Sequence, residues 1–371
     1  MEPSASRTRI CPSYSSNAPS GRLIDRQGDG KSAKLRGGVQ TRKLVETVFL
    51  PAFGADSNQE DAALLDMCTP HVDSRGNAAR WAMTTDSYVV NPLEFPGGNI
   101  GDLAVAGTCN DLAMRGAIPK YLSAGFILEE GLSITLLTKI VRSMAAQAKD
   151  AGVQIITGDT KVVERGKGDG VFINTAGVGV VADEFIDVPG INNIAAGNAV
   201  ILSNDIGRHG AAVLASREQT AFDSDIVSDC ALLSPVVGSL ASAGIVPRAM
   251  RDLTRGGLAT ALVEMADGSG MDVHITESQI PIHPTVDAAC EVFGLNALQV
   301  ANEGCFALFV AESDVEKALG VLRQWPQCRA ATRIGVVRQA GAARPRVLMQ
   351  TAFGSDRLVH ALSGEQLPRI C

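Results

Sequence analysis

Five aspartates recur beside glycine, threonine, asparagine or lysine: Asp61 in Glu60-Asp61-Ala62-Ala63, Asp86 in Thr84-Thr85-Asp86, Asp111 in Asn110-Asp111, Asp159 in Gly158-Asp159-Thr160-Lys161, and Asp252 in Asp252-Leu253-Thr254-Arg255-Gly256-Gly257. Hard oxygen ligands at turns and strand ends suit Mg2+, which keeps several waters and completes its shell with the phosphates of a nucleotide. Taken singly, each aspartate is also an ordinary turn former or helix cap, so the recurrence carries the reading. The run from Asp252 to Gly257 adds a hydroxyl, a guanidinium and two glycines just before a helix. There, oriented amides and the Arg255 fork can meet phosphate oxygens; a capped helix with a buried arginine is the plain alternative. Gly158 to Lys161 follows a strand and is expected on a loop leaving the core. Burial would lower the Lys161 pKa and an acid partner would hold it up, so it can act as base, acid or electrostatic clamp. Glu303 in Ala301-Asn302-Glu303-Gly304 is its expected partner, with a surface lysine and a turn glutamate as the other possibility. The last residue is a free thiol, Cys371. Seventeen residues separate it from Gly354, enough to reach roughly 55 Å when extended, so the tail could carry a group into a pocket. Accessible thiolates are where such chemistry is useful, and Arg369 is placed to offset the terminal carboxylate.

Other motifs fail on context. Asp25 to Ser32 ends like a phosphate loop but lacks the first glycine and a preceding strand, and Gly166, Gly168 and Gly170 lie in a charged loop rather than between strand and helix. The five histidines show no zinc spacing, and the eight cysteines form no CxxC pair. With no secretory pattern at the start, the cysteines point to a reducing cytoplasm and no disulfide framework. The chain has 371 residues, 46% of them hydrophobic and 20% charged, with no apolar run of bilayer length, so no membrane span is expected. Residues 1–43 carry nine Lys/Arg against three acids, net +6, which leaves −13 for the rest of a chain whose formal charge is −7. An acidic body repels phosphate backbones, so nucleic acid is excluded as the main partner while a nucleotide held through Mg2+ is not. The Ser- and Gly-rich basic leader reads as disordered.

The elements that would position these residues alternate helix and strand, and the predicted class is α/β (α+β). A strand over 80–85 would place Asp86 at its end. Asn99 is the expected N-cap of a helix carrying Asn110 and Asp111, and Ser133 caps a second helix whose stripe runs from Leu136 to Ala148 and stops at Gly152. Strands follow at 153–157 and 171–181. After Pro189-Gly190 a second series begins at Ala199, with a helix over 257–266, strands over 271–275 and 305–310, and a helix over 313–323. The expected division is a leader (1–43), an N-terminal domain (44–188), a C-terminal domain (189–350) and a flexible tail (351–371).

Taken together, Thr85-Asp86-Ser87, Pro96 to Gly101, Gly107 to Ala113, Glu129-Glu130-Gly131, Gly158 to Val163, Asp252 to Gly257, Ala301 to Gly304 and the terminal Pro368-Arg369-Ile370-Cys371 resemble the HypE family of hydrogenase-maturation carbamoyl dehydratases, over residues 36 to 371. That family belongs to the PurM-like superfamily of aminoimidazole ribonucleotide synthetase. The resemblance implies an N-terminal β-rich domain that dimerises, a C-terminal α/β domain and a mobile tail. It implies that a HypF-type carbamoyltransferase loads Cys371. ATP and Mg2+ then support dehydration of the carbamoyl group to a thiocyanate, and the cyano group passes to iron on a HypC-HypD complex. It further implies catalytic roles for Cys371, Lys161 and Glu303. Nucleotide contacts would come from Asp61, Asp86, Asn110, Asp111, Asp159, Thr160, Asp252, Thr254, Arg255 and Gly256, with the five aspartates holding Mg2+. The family's early His-Gly-x-Gly-Gly loop is represented by Lys34-Leu35-Arg36-Gly37-Gly38, which keeps only the glycine pair. Two other readings stay open: a superfamily enzyme acting on a free small molecule, which would not need Cys371, and a cysteine-tailed carrier that consumes no ATP.

Overall fold

The computed structural model describes residues 62–65, 80–185, 189–217, 225–363 and 369–371. The leader, the Lys34 to Gly38 loop and Asp61 lie outside them. In chain order the first unit contains β1 (Ala63–Leu65), β2 (Trp81–Tyr88), β3 (Glu94–Phe95), β4 (Gly98–Asn99), α1 (Ile100–Met114), β5 (Ala117–Glu129), α2 (Ile134–Asp150), β6 (Gln154–Val163) and β7 (Val171–Val181). The second contains β8 (Ala199–Leu202), α3 (Arg208–Arg217), α4 (Ser234–Ser242), β9 (Ala249–Asp252), α5 (Gly257–Ser269), β10 (Met271–Thr276), α6 (Pro284–Phe293), β11 (Phe306–Val310), α7 (Val315–Leu322), β12 (Thr332–Gln339), β13 (Val347–Gln350) and β14 (Asp356–Val359).

α1 begins where expected because Asn99 closes a capping box: its Oδ1 accepts from Gly101 N at 2.7 Å while Asn99 N donates to Asp102 Oδ2 at 2.9 Å. Such a cap contributes about 1 kcal/mol. Thirteen of the 15 residues of α1 are buried, which its all-round apolar sequence requires. One side packs on β2, β5 and β7, and the other meets α4 and β9 of the second unit. α2 is amphipathic instead and buries only Ile140, Met144 and Ala148, one turn apart.

The first sheet runs β1-β2-β7-β5-β6, antiparallel except for the β5–β6 pair, and α1 and α2 cover one face. The second runs β14-β13-β10-β12-β8-β11-β9. Its central strands are buried throughout, and alternation sends Ile201 and Leu308 to a core with α4 and α7 while Leu202 and Phe309 face a core with α5. β14 hydrogen-bonds antiparallel to β13, so the sheet continues past residue 350, where the sequence suggested the tail begins. Two further elements differ from expectation. β2 runs on to Tyr88, which puts Asp86 inside the strand. β6 extends through Val163, which places Gly158 to Lys161 within an exposed edge strand rather than on a loop leaving a buried one, because pairing with β5 continues from Tyr121 to Glu129.

Candidate active site

The edge strand β9 lies against α1, and this contact gathers acids from both units. Asp252 ends β9, with Phe306 opposite it on β11, and its carboxyl is hydrogen-bonded to Asp111 of α1. Thr84 of β2 donates to Asp111 Oδ2 at 2.8 Å. Burial, with Asp86 and Glu264 adding like charge, pushes Asp252 up to about 6 although Arg251 opposes it. Asp86 shares the α1-facing side of β2 with Ala82, Thr84 and Tyr88 but remains accessible there, and desolvation of its carboxyl raises its pKa while the Ser87 amide, the Tyr88 hydroxyl and Arg255 oppose the shift.

The turn after Asp252 is knitted to the loop before β11. Leu253 N donates to Cys305 O at 3.0 Å, and Asn302 returns both its backbone N–H and its Nδ2 to Leu253 O. Asp229, half-buried and raised to about 6 by desolvation, accepts from the amides of Glu303 and Gly304 at 3.1 Å each. Gly304 is required there, since a Cβ would stand 1.9 Å from Asp229 O. Gly256 caps α5 in the left-handed region at φ 79° with no side-chain cap, leaving the helix end to offer its amides and partial positive charge to an anion.

This scaffold presents Glu303, 3% exposed, whose Oε1 has no hydrogen-bond partner. Burial together with Asp252, Asp229 and Asp86 holds its carboxyl well above the usual range, against the opposing charge of Arg255. The chain's last residue faces the same spot. Cys371 is half-buried, its side chain hydrogen-bonds Arg255, and it feels Glu303 and Asp86 through space. Burial, with those two acids, raises the thiol pKa far above its ordinary value, while Arg255 pulls the other way. Arg369, expected to offset the terminal carboxylate, pairs instead with Asp169, and Arg255 is the cation beside the sulfur.

Not every expected residue arrives here. Asn110 straps the two units together: Oδ1 accepts from Leu233 N at 2.8 Å and Nδ2 donates to Ala231 O at 2.9 Å and Glu303 O at 3.4 Å. Asp159, Thr160 and Lys161 form their own exposed group, with Lys161 Nζ 2.6 Å from Asp159 Oδ2 and Thr160 N donating to Asp159 Oδ1 at 2.8 Å. Asp86 is opposite Thr175, Thr175 opposite Ala124, and Ala124 opposite Gly158, so three strand spacings, about 14 Å, separate Asp86 from that group. Lys161 therefore does not meet Glu303 within one chain. Among the described residues no three His, Cys, Asp or Glu side chains are grouped to hold a metal ion by themselves; of the five expected aspartates, Asp86, Asp111 and Asp252 lie near one another, Asp159 lies apart and Asp61 falls outside the described residues. Sequence reasoning missed Asp229 and His209, which support the site from behind and carry no motif that would single them out, and it did not assign a role to Asn302 within Ala301 to Gly304.

Residues 59–181 match the family model of the N-terminal domain of AIR synthase related proteins, and residues 195–347 that of the C-terminal domain. The chain is 48% identical over 338 residues to the carbamoyl dehydratase HypE of Cupriavidus necator, covering 90% of this chain and 93% of that one. Among solved structures it is similar to a HypE in a HypE-HypF complex (TM-score 0.78, 41% identity, 86% of this chain and 99% of the other). It is also similar to a HypE in complex with ATP (TM-score 0.75, 44% identity, 90% and 98%). With both domain models matched and this identity over nearly the whole length, the chain belongs to the HypE family of the AIR synthase related proteins.

Proposed function

We propose that the chain uses ATP to dehydrate a carbamoyl group carried on Cys371, leaving a thiocyanate that supplies cyanide to the iron of a [NiFe]-hydrogenase. The observation that carries this is the docking of Cys371 against Arg255 and Glu303 between the two units. An amide oxygen leaves poorly, so phosphoryl transfer from ATP converts it to phosphate. The nitrogen gives up two protons as the C–O bond breaks, and S–C(=O)NH2 becomes S–C≡N with ADP and phosphate as the other products. Glu303, partnerless at Oε1, is the group beside the sulfur able to exchange a proton with that nitrogen. Arg255 and the open end of α5 are suited to phosphate oxygens. Asp86, Asp111 and Asp252 fit Mg2+ by their chemistry, because the like charge that Asp86 adds beside the buried Asp252 is relieved by a cation and only a few carboxylates are needed beside phosphates. Bound there, Mg2+ would neutralise charge on the transferring phosphoryl group.

The same surroundings order the steps around the cleft. A docked thiol held protonated by burial is a poor nucleophile, so loading by a HypF-type carbamoyltransferase takes place with the tail outside. The neutral S-carbamoyl group then re-enters among the acids without the Coulomb penalty of a thiolate, and a HypC-HypD complex receives the cyano group. A homodimer is the proposed assembly: the face of the first sheet away from α1 exposes Met83, Tyr121 and Ile127, and the free edge β6 exposes Ile155, Ile156 and Val162. If Lys161 acts at the cleft, it must come from a second copy, because within one chain it lies at the far edge of the sheet. No helix among the described residues is long and apolar enough to cross a membrane, and the cytoplasm is the proposed compartment. Intact-protein mass spectrometry tests the reaction: carbamoylated protein given Mg-ATP loses one water, and Cys371→Ala, which cannot be loaded, shows neither gain nor loss. Unchanged mass on the fully carbamoylated chain would refute the reading.

A further inference from the structure

The last three residues lie along the segment that continues β2. Val89 N donates to Cys371 O at 3.2 Å and Asn91 N donates to Arg369 O at 3.1 Å, the alternate pairing of an added strand. Between them Ile370 turns its carbonyl the other way, where His209 Nε2 meets it at 2.8 Å, and buries its side chain in the core that contains Val90 and Val213. His209 of α3 is wholly buried, with its ring edge-on to Phe95 at 5.2 Å and its Nδ1 2.8 Å from Ser228 Oγ. Burial pushes its pKa down to about 4, so the ring is neutral and owns one N–H. Since Ile370 O can only accept, that hydrogen sits on Nε2, and the Ser228 hydroxyl donates to Nδ1. At the end of α3, Arg217 donates to Asn91 O at 2.5 Å and also to Arg369 O. Arg369 itself is left-handed at φ 55°, a strained conformation for a residue with a side chain, held by these bonds and by its pairing with Asp169.

We propose that His209, supported by Ser228 and assisted by Arg217, is a positioning residue that clasps the penultimate carbonyl and so fixes the register at which Cys371 enters the cleft. Register matters because a slip of one residue moves the sulfur by about 3.3 Å and turns its side chain to the opposite face. Misplacement of a reacting group by about 1 Å can already cost 10²-fold in rate. Both α3 anchors grip backbone carbonyls, so the clasp holds the tail whether or not the sulfur carries a group. The inference rests on Cys371 being the reacting residue, but the clasp can be read without the chemistry.

The rate at which a neutral maleimide labels Cys371, followed on the C-terminal peptide by mass spectrometry, reports docking directly. His209→Ala raises that rate about tenfold, the worth of one hydrogen bond to a buried group, and slows dehydration of carbamoylated protein at least as much with the KM for Mg-ATP unchanged. His209→Gln, which restores an N–H donor, recovers part of both. Arg217→Ala, a substitution at a half-buried position, shifts both readings in the same direction and decides the matter should His209→Ala fail to fold. Labelling and turnover at wild-type values in folded His209→Ala, or in Arg217→Ala where the former does not fold, would overturn the proposal. Changed labelling without water loss in any protein would leave the clasp standing and sink the proposed reaction instead.

Discussion

The cleft beneath α1 and the free edge of β6 contain much the same residue types, acids, threonine and one cation, yet they present opposite environments. In the cleft Asp252, Glu303 and Cys371 are raised by burial, and Arg255 is the cation they share. On β6 both Asp159 and Lys161 are about 70% exposed at the side chain, and Lys161 together with the Thr160 amide lowers the Asp159 pKa. The cleft forms because an edge strand of one sheet is pressed against a helix of the other unit; β6 lies at the margin of its sheet with only β5 beside it. Placement in the sheet, rather than motif chemistry, decides which acids are raised by burial and which simply pair with a neighbour.

The largest expected break of this contrast is Glu303→Gln, which keeps the shape and removes the titrating oxygen. Single-turnover dehydration should fall by about 10² to 10⁴, the range of a lost acid-base group, while nucleotide binding measured by calorimetry persists; an unaltered rate would remove Glu303 from proton transfer. Lys161→Ala should cost about 10² by the same logic. Because Lys161 is too far from its own Glu303, mixing Lys161→Ala with Cys371→Ala protein should raise turnover above that of either variant alone, each copy supplying what the other lacks. Absence of recovery in mixed dimers would return Lys161 to the role of an exposed edge residue.

A smaller effect comes from Asp252. Its folded pKa of about 6 lies above the ordinary value of 3.8, so its ionised form weakens the cation-free fold above about 6, and that loss is recovered as pH falls toward 3.8. Mg2+ binding has the opposite sign, because the proton must leave first: affinity for Mg-nucleotide should drop about fourfold from pH 7.5 to 5.5. A pH-independent affinity would take Asp252 out of the cation site. Smallest is the Asp159 pair. Asp159→Ala should leave the thermal midpoint unchanged, as an exposed ion pair screened by water contributes little, whereas Asn99→Ala, which opens the cap of the helix forming the cleft wall, should lower it by about 2 to 4 °C.

Much of the frame was legible in the chain. Asn99 and Ser133 announced both N-terminal helices, the Leu136 to Ala148 stripe turned inward at Ile140, Met144 and Ala148, and the second series of elements falls close to its expected bounds. Val141, an apolar residue within that stretch, is exposed, since α2 presents only one narrow row to α1. What sequence could not supply was pairing. The apolar strand before Gly158 looks the same whether it lies at the centre of a sheet or at its margin, and Asn110 looks like a ligand until its amide is found bonded to backbone 121 residues away. Likewise nothing in Gly207-Arg208-His209 reveals a partner 161 residues on.

The claim on which all this turns is that the terminal sulfur is remade in the cleft, and infrared spectroscopy of protein loaded with a ¹³C-carbamoyl group reads it most directly. On addition of Mg-ATP the account predicts a nitrile stretch, isotope-shifted by the label and appearing at the rate of ATP consumption. ATP consumed with the amide band intact, or a nitrile found on a free small molecule rather than on Cys371, would contradict it.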